Sequence, residues 1–284
     1  MANTVTQPGG SSVTHNQPPG AAAAAAASVW TVEYEIDFSA QSSYDFISSG
    51  ATASLGGVTW TAVNRTSNDA DVFDLDGSTG LRINAKGTPN NNGHWWGGSQ
   101  SQPYFWAELD DVVTSLKADD TLCLQLEMTT TADVASNYQR YGLGLWKDDA
   151  PGGSNNFVVV SRFYDGAAYS ASLRNTTQDN LTVSGGNPQP DFFEIVSYPN
   201  GSQVLSAGEL GGGSFPDPLA TTAYKAYNAM NQLGPGDSGG SQGAPSWNIQ
   251  FDKAAFVITC QVQGSSTSLN STAKKMRVLR RNRS

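Results

Sequence analysis

The sequence has few of the residues on which most catalytic and metal-binding sites depend. Its 284 residues include only two histidines, His15 and His94, and two cysteines, Cys123 and Cys260, which do not form a CxxC spacing. This scarcity excludes a disulfide framework, gives no cysteine–histidine metal motif and leaves little general-base chemistry. We therefore predict no catalytic residue, no bound metal, no cofactor and no enzymatic activity.

Long apolar runs are also absent. The longest is the block of seven alanines at 21–27, well short of the roughly 20 apolar residues that a membrane-spanning helix needs. No basic residue precedes an apolar segment at the start of the chain, so we expect no signal peptide and no secretion. Neither a membrane nor a secretory route is predicted.

Charged residues are scarce and unevenly distributed. They make up 14% of the chain, against about 25% in an average globular domain. The net charge is -9, and 6 of the 16 basic residues lie in the last eleven positions. These six are Lys274, Lys275, Arg277, Arg280, Arg281 and Arg283.

This distribution predicts a basic C-terminal tail at 264–284 on an acidic body. We expect the tail to dock on an acidic surface of a neighbouring protein. A solvated tail is one alternative, and a nucleic-acid contact that releases counterions from phosphates is another. The acidic body would repel nucleic acid, which favours a protein partner.

The first 28 residues carry no Asp, Glu, Lys or Arg, and their large aliphatic residues after Met1 are Val5 and Val13. Glycine, proline, glutamine, serine and threonine come first, and the polyalanine block follows. Such a composition cannot bury a core of its own. We predict an extended arm, residues 1–28, which lies on its own domain or on neighbouring subunits.

Between these ends the apolar residues recur with a period of two. Trp30, Val32, Tyr34, Ile36 and Phe38 alternate with polar residues, as in a strand with one buried face. Turn residues separate nine further predicted strands. These are Val58–Val63, Asp71–Leu75, Gly80–Ala85, Thr121–Thr130, Arg140–Lys147, Phe157–Tyr164, Tyr169–Arg174, Phe192–Tyr198 and Ala254–Gln263.

Many strands and almost no helical period predict one all-β, antiparallel sandwich over 29–263. A Gly- and Pro-rich excursion at 184–247 contains the best helix candidate, at 218–233, where Leu219, Ala223, Tyr227 and Met230 share one stripe. A second, short helix is predicted at 107–116.

The strand set resembles the concanavalin A-like lectin and glucanase sandwich, a jelly roll of two large sheets. The resemblance rests on the opening strand at 32–38, the strand at 80–83, the long strands at 122–128, 141–146 and 157–163, and the closing strand at 256–262. The charge-free arm, the Gly, Ser, Thr and Asn content and the basic tail are also similar to virion proteins of tailed phages, which often use this sandwich.

These resemblances imply a structural component of a virion, assembled in the host cytoplasm. We expect a capsid decoration or cement protein whose partners are other virion proteins and copies of itself. The alternative is a glycan-binding adhesin, a tail-fibre or spike domain that recognises a host polysaccharide. A glycan hydrolase is the third reading.

Two aromatic clusters are the candidate glycan contacts. They are His94-Trp95-Trp96 and Tyr104-Phe105-Trp106, of which Trp95, Trp96, Tyr104 and Trp106 are the predicted contact residues. Aromatic faces stack on sugar rings, but such clusters are also common in cores and at subunit interfaces. The loop 147–156, after Trp146, contains acidic and amide side chains that suit a hard cation as a further alternative.

Two other motifs are weaker. Glu35-Ile36-Asp37 resembles the start of the paired-carboxylate strand of laminarinase-like glycanases, but the third carboxylate is missing, so we predict a solvated strand face. Gly236-Asp237-Ser238-Gly239-Gly240 matches the nucleophile motif of trypsin-like proteases, yet the histidine context that such a protease needs is absent. We predict a turn loop there.

Overall fold

The computed structural model describes part of the chain. The described residues are 4–6, 12–14, 29–46, 48–63, 73–86, 104–113, 120–130, 139–146, 157–164, 169–175, 178–184, 191–199, 203–210, 213–219, 225–226, 231–233, 255–261 and 268–281.

The described residues form strands and two short 3-10 helices. The first ten strands are β1 (Thr4–Thr6), β2 (Ser12–Thr14), β3 (Thr31–Asp37), β4 (Tyr44–Asp45), β5 (Thr52–Leu55), β6 (Val58–Val63), β7 (Phe73–Asp76), β8 (Gly80–Lys86), β9 (Tyr104–Glu108) and β10 (Thr121–Thr130). The others are β11 (Gln139–Trp146), β12 (Phe157–Tyr164), β13 (Tyr169–Asn175), β14 (Gln178–Ser184), β15 (Phe192–Ser197), β16 (Gln203–Glu209), β17 (Lys225–Ala226), β18 (Asn231–Leu233), β19 (Ala255–Gln261) and β20 (Ser268–Arg281). The 3-10 helices are Phe38–Ala40 and Leu109–Asp111.

Within the described residues these strands make two large antiparallel sheets and one small one. The ten-stranded sheet has the order β17-β16-β15-β10-β20-β8-β7-β4, with β18 paired to β16 and β3 paired to β20. The eight-stranded sheet has the order β14-β13-β12-β11-β19-β9-β6-β5. Strands β1 and β2 pair with each other. The prediction of an all-β, antiparallel sandwich is confirmed.

The core lies between the two large sheets. Alternate residues of β10, Leu122, Leu124 and Leu126, are fully buried in it, as period-two strands require. The eight-stranded sheet contributes Trp60 and Phe105 to this core, and their rings stack with 4.8 Å between centroids. Phe38, just after β3, meets Trp60 edge-on at 5.7 Å. Aromatic residues therefore close one end of the core.

The ten strands predicted from period-two alternation are all present, with ends within two residues of the prediction. The predicted helix at 218–233 is wrong, and within the short helix predicted at 107–116 the described residues contain a 3-10 helix at Leu109–Asp111. Residues 218–219 form a turn, and β17 and β18 both pair with β16. Leu219 packs against a small cluster on the ten-stranded sheet instead of forming a helical stripe, and its φ is 65°. At 107–116, β9 buries Phe105 and Ala107 before a single 3-10 turn follows.

The predicted tail is also wrong over 268–281, because these residues form β20, the longest described strand. Its apolar residues Ala273, Met276 and Val278 are fully buried in the core. The basic residues between them are tolerated because neighbouring strands supply acidic and amide partners. Alternation of cations with apolar side chains is thus a strand pattern here. The number of basic residues alone led to the prediction of a tail.

A buried hydrogen-bond chain ties β3 to the eight-stranded sheet. The Tyr34 hydroxyl donates to the Leu55 carbonyl at 2.9 Å and accepts from Trp60 Nε1 at 3.0 Å. Burial raises the pKa of Tyr34 to about 12, although the bond from Trp60 opposes the shift. The hydroxyl therefore remains a neutral donor and acceptor inside the sandwich.

We expect Tyr34→Phe to lower the free energy of unfolding by about 1–3 kcal/mol, because the buried Trp60 N–H loses its acceptor. Urea denaturation measures the loss. Tyr44→Phe is the matched control, since the Tyr44 hydroxyl bonds to the Ser49 and Thr52 carbonyls at an exposed site. An equal loss in both variants would contradict the role of the buried chain.

The same pair of proteins gives a pH test. The pKa of Tyr34 is higher in the folded protein, at about 12, than its ordinary value of 10.0. The contribution of the neutral Tyr34 hydroxyl to the free energy of unfolding is therefore complete below pH 10 and is lost as the pH rises toward 12. The stability difference between the native chain and Tyr34→Phe should shrink over that window.

Candidate functional site

The outer face of the eight-stranded sheet carries the predicted glycan contacts that the structure describes. Phe105 and Ala107 point into the core, so Tyr104, Trp106 and Glu108 occupy the outward positions of β9. Trp106 is half-buried, and its Nε1 is buried with no hydrogen-bond partner among the described residues. Two of the four predicted contacts thus share one face.

Glycines form the floor of this face at its centre. On β11, Tyr141, Leu143 and Leu145 enter the core, which leaves Gly142 and Gly144 at the outward positions. Both glycines are buried. Because glycine has no side chain, the strand adds only backbone to the outer face at these two positions.

Strand register places the aromatic positions beside this floor. Gly144 lies opposite Val257 of β19, and Val257 lies opposite Trp106. Gly142 is joined in the same way, through Thr259, to Tyr104. Two strand spacings separate each glycine from its aromatic residue, or about 10 Å.

Trp146 is in the next row of the same face. It is two residues beyond Gly144 on β11, and Ala255 links it in register to Glu108. The sequence indicated Trp146 only as the start of an acidic loop. The register makes it a third aromatic position on the outward face, beside the glycine floor. Trp95, Trp96 and His94 lie outside the described residues, as does the loop 147–156.

The outer face of the ten-stranded sheet is different, since a row of polar side chains crosses it. Register aligns Glu194, Gln125, Arg277 and Glu35, on β15, β10, β20 and β3 respectively. Gln125 Nε2 donates to Glu194 Oε2 at 2.6 Å, and Arg277 Nε donates to Gln125 Oε1 at 2.6 Å. Gln125 and Glu194 are fully buried.

Residues 213–219, which we call the strap, cover this row. The Pro216 carbonyl accepts from Gln125 Nε2 at 3.1 Å and also from Arg277 Nη2. The Leu219 N–H donates to Glu194 Oε1 at 3.2 Å. The Arg277 guanidinium lies over the Phe215 ring at 5.1 Å. The strap therefore supplies the partners that a buried acid, amide and guanidinium need.

Burial governs the ionisation of this row. It raises the pKa of the Glu194 carboxyl, while the hydrogen bonds from Gln125 and Leu219 oppose the shift. Burial also raises the pKa of the Cys123 thiol, to which the nearby Glu194 charge adds, and Cys123 is free. Cys260 lies on β19, in the other sheet. The thiol of Cys123 is thus a buried, protonated group.

Glu127 lies one row further along β10 and is also buried. Its Oε2 has no hydrogen-bond partner within the described residues. Burial raises the pKa of its carboxyl, the Lys275 charge opposes that shift, and Asp191 adds to it. Lys275 is directly opposite Glu127 in register.

Several of the predicted docking cations make contacts within the chain. Arg280 Nε lies 2.7 Å from Glu33 Oε1, and its Nη1 lies 3.7 Å from Asp120 Oδ2. The Arg281 guanidinium stacks over Trp30 at 4.9 Å. Lys274 is exposed, Lys275 is half-buried, and Arg283 lies outside the described residues. Docking of these residues on another protein stays a prediction.

The other motifs make no catalytic arrangement within the described residues. Glu35 is exposed on β3, whereas Asp37 Oδ1 accepts from the Ser39 N–H at 2.9 Å and so caps a 3-10 helix. The motif at 236–240 lies outside the described residues. The described part of the chain has no group of three or more His, Cys, Asp or Glu side chains arranged for a metal ion. It also has no helix with the length and hydropathy to span a membrane.

We expect Gln125→Leu to destabilise the fold by about 3 kcal/mol, because Glu194 loses a donor and Arg277 loses an acceptor inside a buried row. Urea denaturation measures this loss, and chymotrypsin cleavage at Phe215 reports release of the strap. Gln41→Leu is the control, since that half-buried amide makes a single bond to the Asp37 carbonyl. A strap that stays protected in Gln125→Leu would contradict the assigned role.

No protein-family model and no curated protein matches this chain. Solved structures do. Alginate lyase A1-II′, of polysaccharide lyase family 7, is 12% identical, with 75% of this chain and 84% of that chain covered and a TM-score of 0.43. The bifunctional GH43-CE protein of Bacteroides eggerthii is 11% identical, with 83% of this chain and 25% of that chain covered and a TM-score of 0.47. The carbohydrate recognition domain of Emp47p is 9% identical, with 93% of this chain and 100% of that chain covered and a TM-score of 0.41.

These similarities concern the fold alone, and the similar structures are concanavalin A-like jelly rolls, the fold that the strand set resembles. They also correct one expectation. The prediction that the chain is not an enzyme is wrong as an inference from this architecture, since structures that share it include alginate lyases. The similar structures named above are a polysaccharide lyase, a bifunctional GH43-CE protein and a carbohydrate recognition domain.

Proposed function

We propose that the protein binds a polysaccharide on the outer face of its eight-stranded sheet. The observation that carries the proposal is the placement of Tyr104, Trp106 and Trp146 on one face around the floor formed by Gly142 and Gly144. Sugar rings stack on aromatic side chains through their C–H faces.

The polar residues of the face suit the rest of a sugar. Thr61 lies opposite Trp106 in register, and Thr259 lies between Tyr104 and Gly142. Hydroxyl groups both donate and accept hydrogen bonds, as sugar hydroxyls do. A row of aromatic and hydroxyl residues along several strands fits an extended chain of sugars better than a single ring.

The opposite face of the sandwich is less suited to a ligand. The strap already occupies the row of Gln125, Glu194 and Arg277 and satisfies their polar atoms. A ligand would have to displace buried hydrogen bonds there, and each unsatisfied group costs about 1–3 kcal/mol. We therefore place the proposed ligand site on the eight-stranded sheet.

As the setting of this binding we propose a virion, in which the protein is an adhesin of a tail fibre or spike. The arm without charges, the Gly-, Ser- and Asn-rich composition and the small polar strands β1 and β2 support this setting. The arm would connect the sandwich to copies of itself or to other virion proteins.

Binding is tested with Trp106→Ala against a glycan array, followed by affinity measurement on the polysaccharides that bind. We expect at least a tenfold loss of affinity, because one stacking ring contributes on the order of 1 kcal/mol or more beyond its buried area. Trp30→Ala is the matched control, since Trp30 lies under Arg281 beside the other sheet.

Equal affinities of the native chain and Trp106→Ala would overturn the site. Absence of binding by the native chain to every glycan offered would overturn the function itself. Release of new reducing ends during the same incubations would show that binding leads to cleavage of the polysaccharide.

The virion setting has its own measurement. We expect light scattering to find oligomers of the full chain that are lost when residues 1–28 are removed, because the arm has no core of its own and gains order from a neighbour. Oligomers that persist after truncation, or a monomer in both cases, would contradict an assembly role for the arm.

A further inference from the structure

We infer that the arm of one copy joins a second copy by adding its β1–β2 hairpin to the free edge of β3. This inference rests on the assembly role proposed for the arm and names the surface on which the arm docks. That surface lies where the arm enters the sandwich, at residues 29–35.

Strand β3 has one unpaired edge within the described residues. It pairs with β20 along Thr31–Asp37, and no described strand pairs with its other side. An edge strand presents backbone N–H and C=O groups that a strand from another chain can bind. Addition of a strand at this edge would extend the ten-stranded sheet.

Apolar side chains are exposed at this edge. Val29 is 77% exposed and Val32 is 47% exposed, and they are the two exposed large apolar side chains of the described residues. Val32 lies opposite Leu279 of β20, which lies opposite Cys123 of β10. Leu279 and Cys123 are buried in a small apolar cluster. This row of side chains therefore changes from buried to exposed at β3, and a further strand beside β3 would cover Val32.

The hairpin has no larger sheet to join among the described strands. Its two strands pair with each other, Val5 opposite Val13, and neither pairs with any other strand that the structure describes. A two-stranded hairpin is at best marginally stable in water. Its valine and threonine residues favour a strand, so the hairpin gains stability by joining a larger sheet.

Charge favours the hairpin over a second β3 strand as the occupant of this edge. Glu33, Glu35 and Asp37 alternate along β3, and Glu35 is exposed. Two β3 edges paired with each other would bring these acidic residues together, and like charges on facing strands are destabilising. The arm has no Asp, Glu, Lys or Arg, so its hairpin meets no such repulsion.

Each copy carries one donor, the hairpin, and one acceptor, the edge of β3. Because neither hairpin strand pairs with the described strands of its own sandwich, that edge stays open to the hairpin of another copy. Such a contact is head-to-tail, and it closes into a ring or continues as a row of copies.

The experiment compares the self-association of full-length variants by light scattering. Val32→Asp blocks the acceptor, because a charge replaces the apolar contact, and the double variant Val5→Asp with Val13→Asp blocks the donor, because it brings acids to an acidic edge. We expect about tenfold weaker self-association in each. Ser54→Asp is the control and should associate like the native chain, since Ser54 is exposed on β5, an edge strand of the other large sheet.

Two further measurements test the direction of the contact. An equimolar mixture of the two blocked variants should form dimers with one copy of each, because Val32→Asp keeps its hairpin and the double variant keeps its β3 edge. A chain with both Val13→Cys and Val32→Cys should form disulfide-linked oligomers on non-reducing gels.

Full-strength association of Val32→Asp, together with loss of association when residues 1–28 are removed, would overturn the docking edge and leave the assembly role of the arm intact. A native chain that does not associate would overturn both. A disulfide within one copy would overturn the second copy as the occupant. If Val32→Asp does not fold, as judged by circular dichroism, the double variant and the cysteine pair still decide.

Discussion

The ten-stranded sheet is held together by one strand, β20, which follows all the other described strands in sequence. Along one edge β20 pairs with the whole of β10, and along the other it pairs with β8 and then with β3. Within the described residues no other pairing joins the β10–β15–β16 half of that sheet to the β8–β7–β4 half. The sheet cannot close until residues 268–281 are present, so folding must wait for contacts between strands that are distant in sequence.

This strand also explains how the charges are arranged. An acidic body and a basic C-terminal segment predict an external partner, yet Arg280 forms ion pairs with Glu33 and Asp120 of the same chain. Arg277 lies in the buried row with Gln125 and below the strap. Buried ions stabilise a protein only where their remaining hydrogen bonds are satisfied. The strap is the element that satisfies them, and it covers this row on the outer face of the sheet.

The two outer faces of the sandwich have consequently taken different roles. One carries a buried polar row beneath the strap, in which burial raises the pKa of the Glu194 carboxyl and of the Cys123 thiol. The other joins aromatic, hydroxyl and glycine positions in register. The proposed ligand contact lies on this second face, at Trp106, and the proposal rests on strand register.

The sequence by itself determined the fold class and ten of the twenty strands that the structure describes, because a strand with one buried face has apolar residues at every second position, as at Tyr34, Ile36 and Phe38. It also indicated Tyr104 and Trp106 as candidate contacts. It did not predict β20, because basic residues between Met276 and Val278 resemble a solvated tail until Glu33, Gln125 and Asp120 are beside them. Nor did it predict that Gly142 and Gly144 share a face with Trp106. That grouping is decided by register between strands more than 100 residues apart, which tertiary structure alone fixes, since local periodicity carries no information about pairing partners.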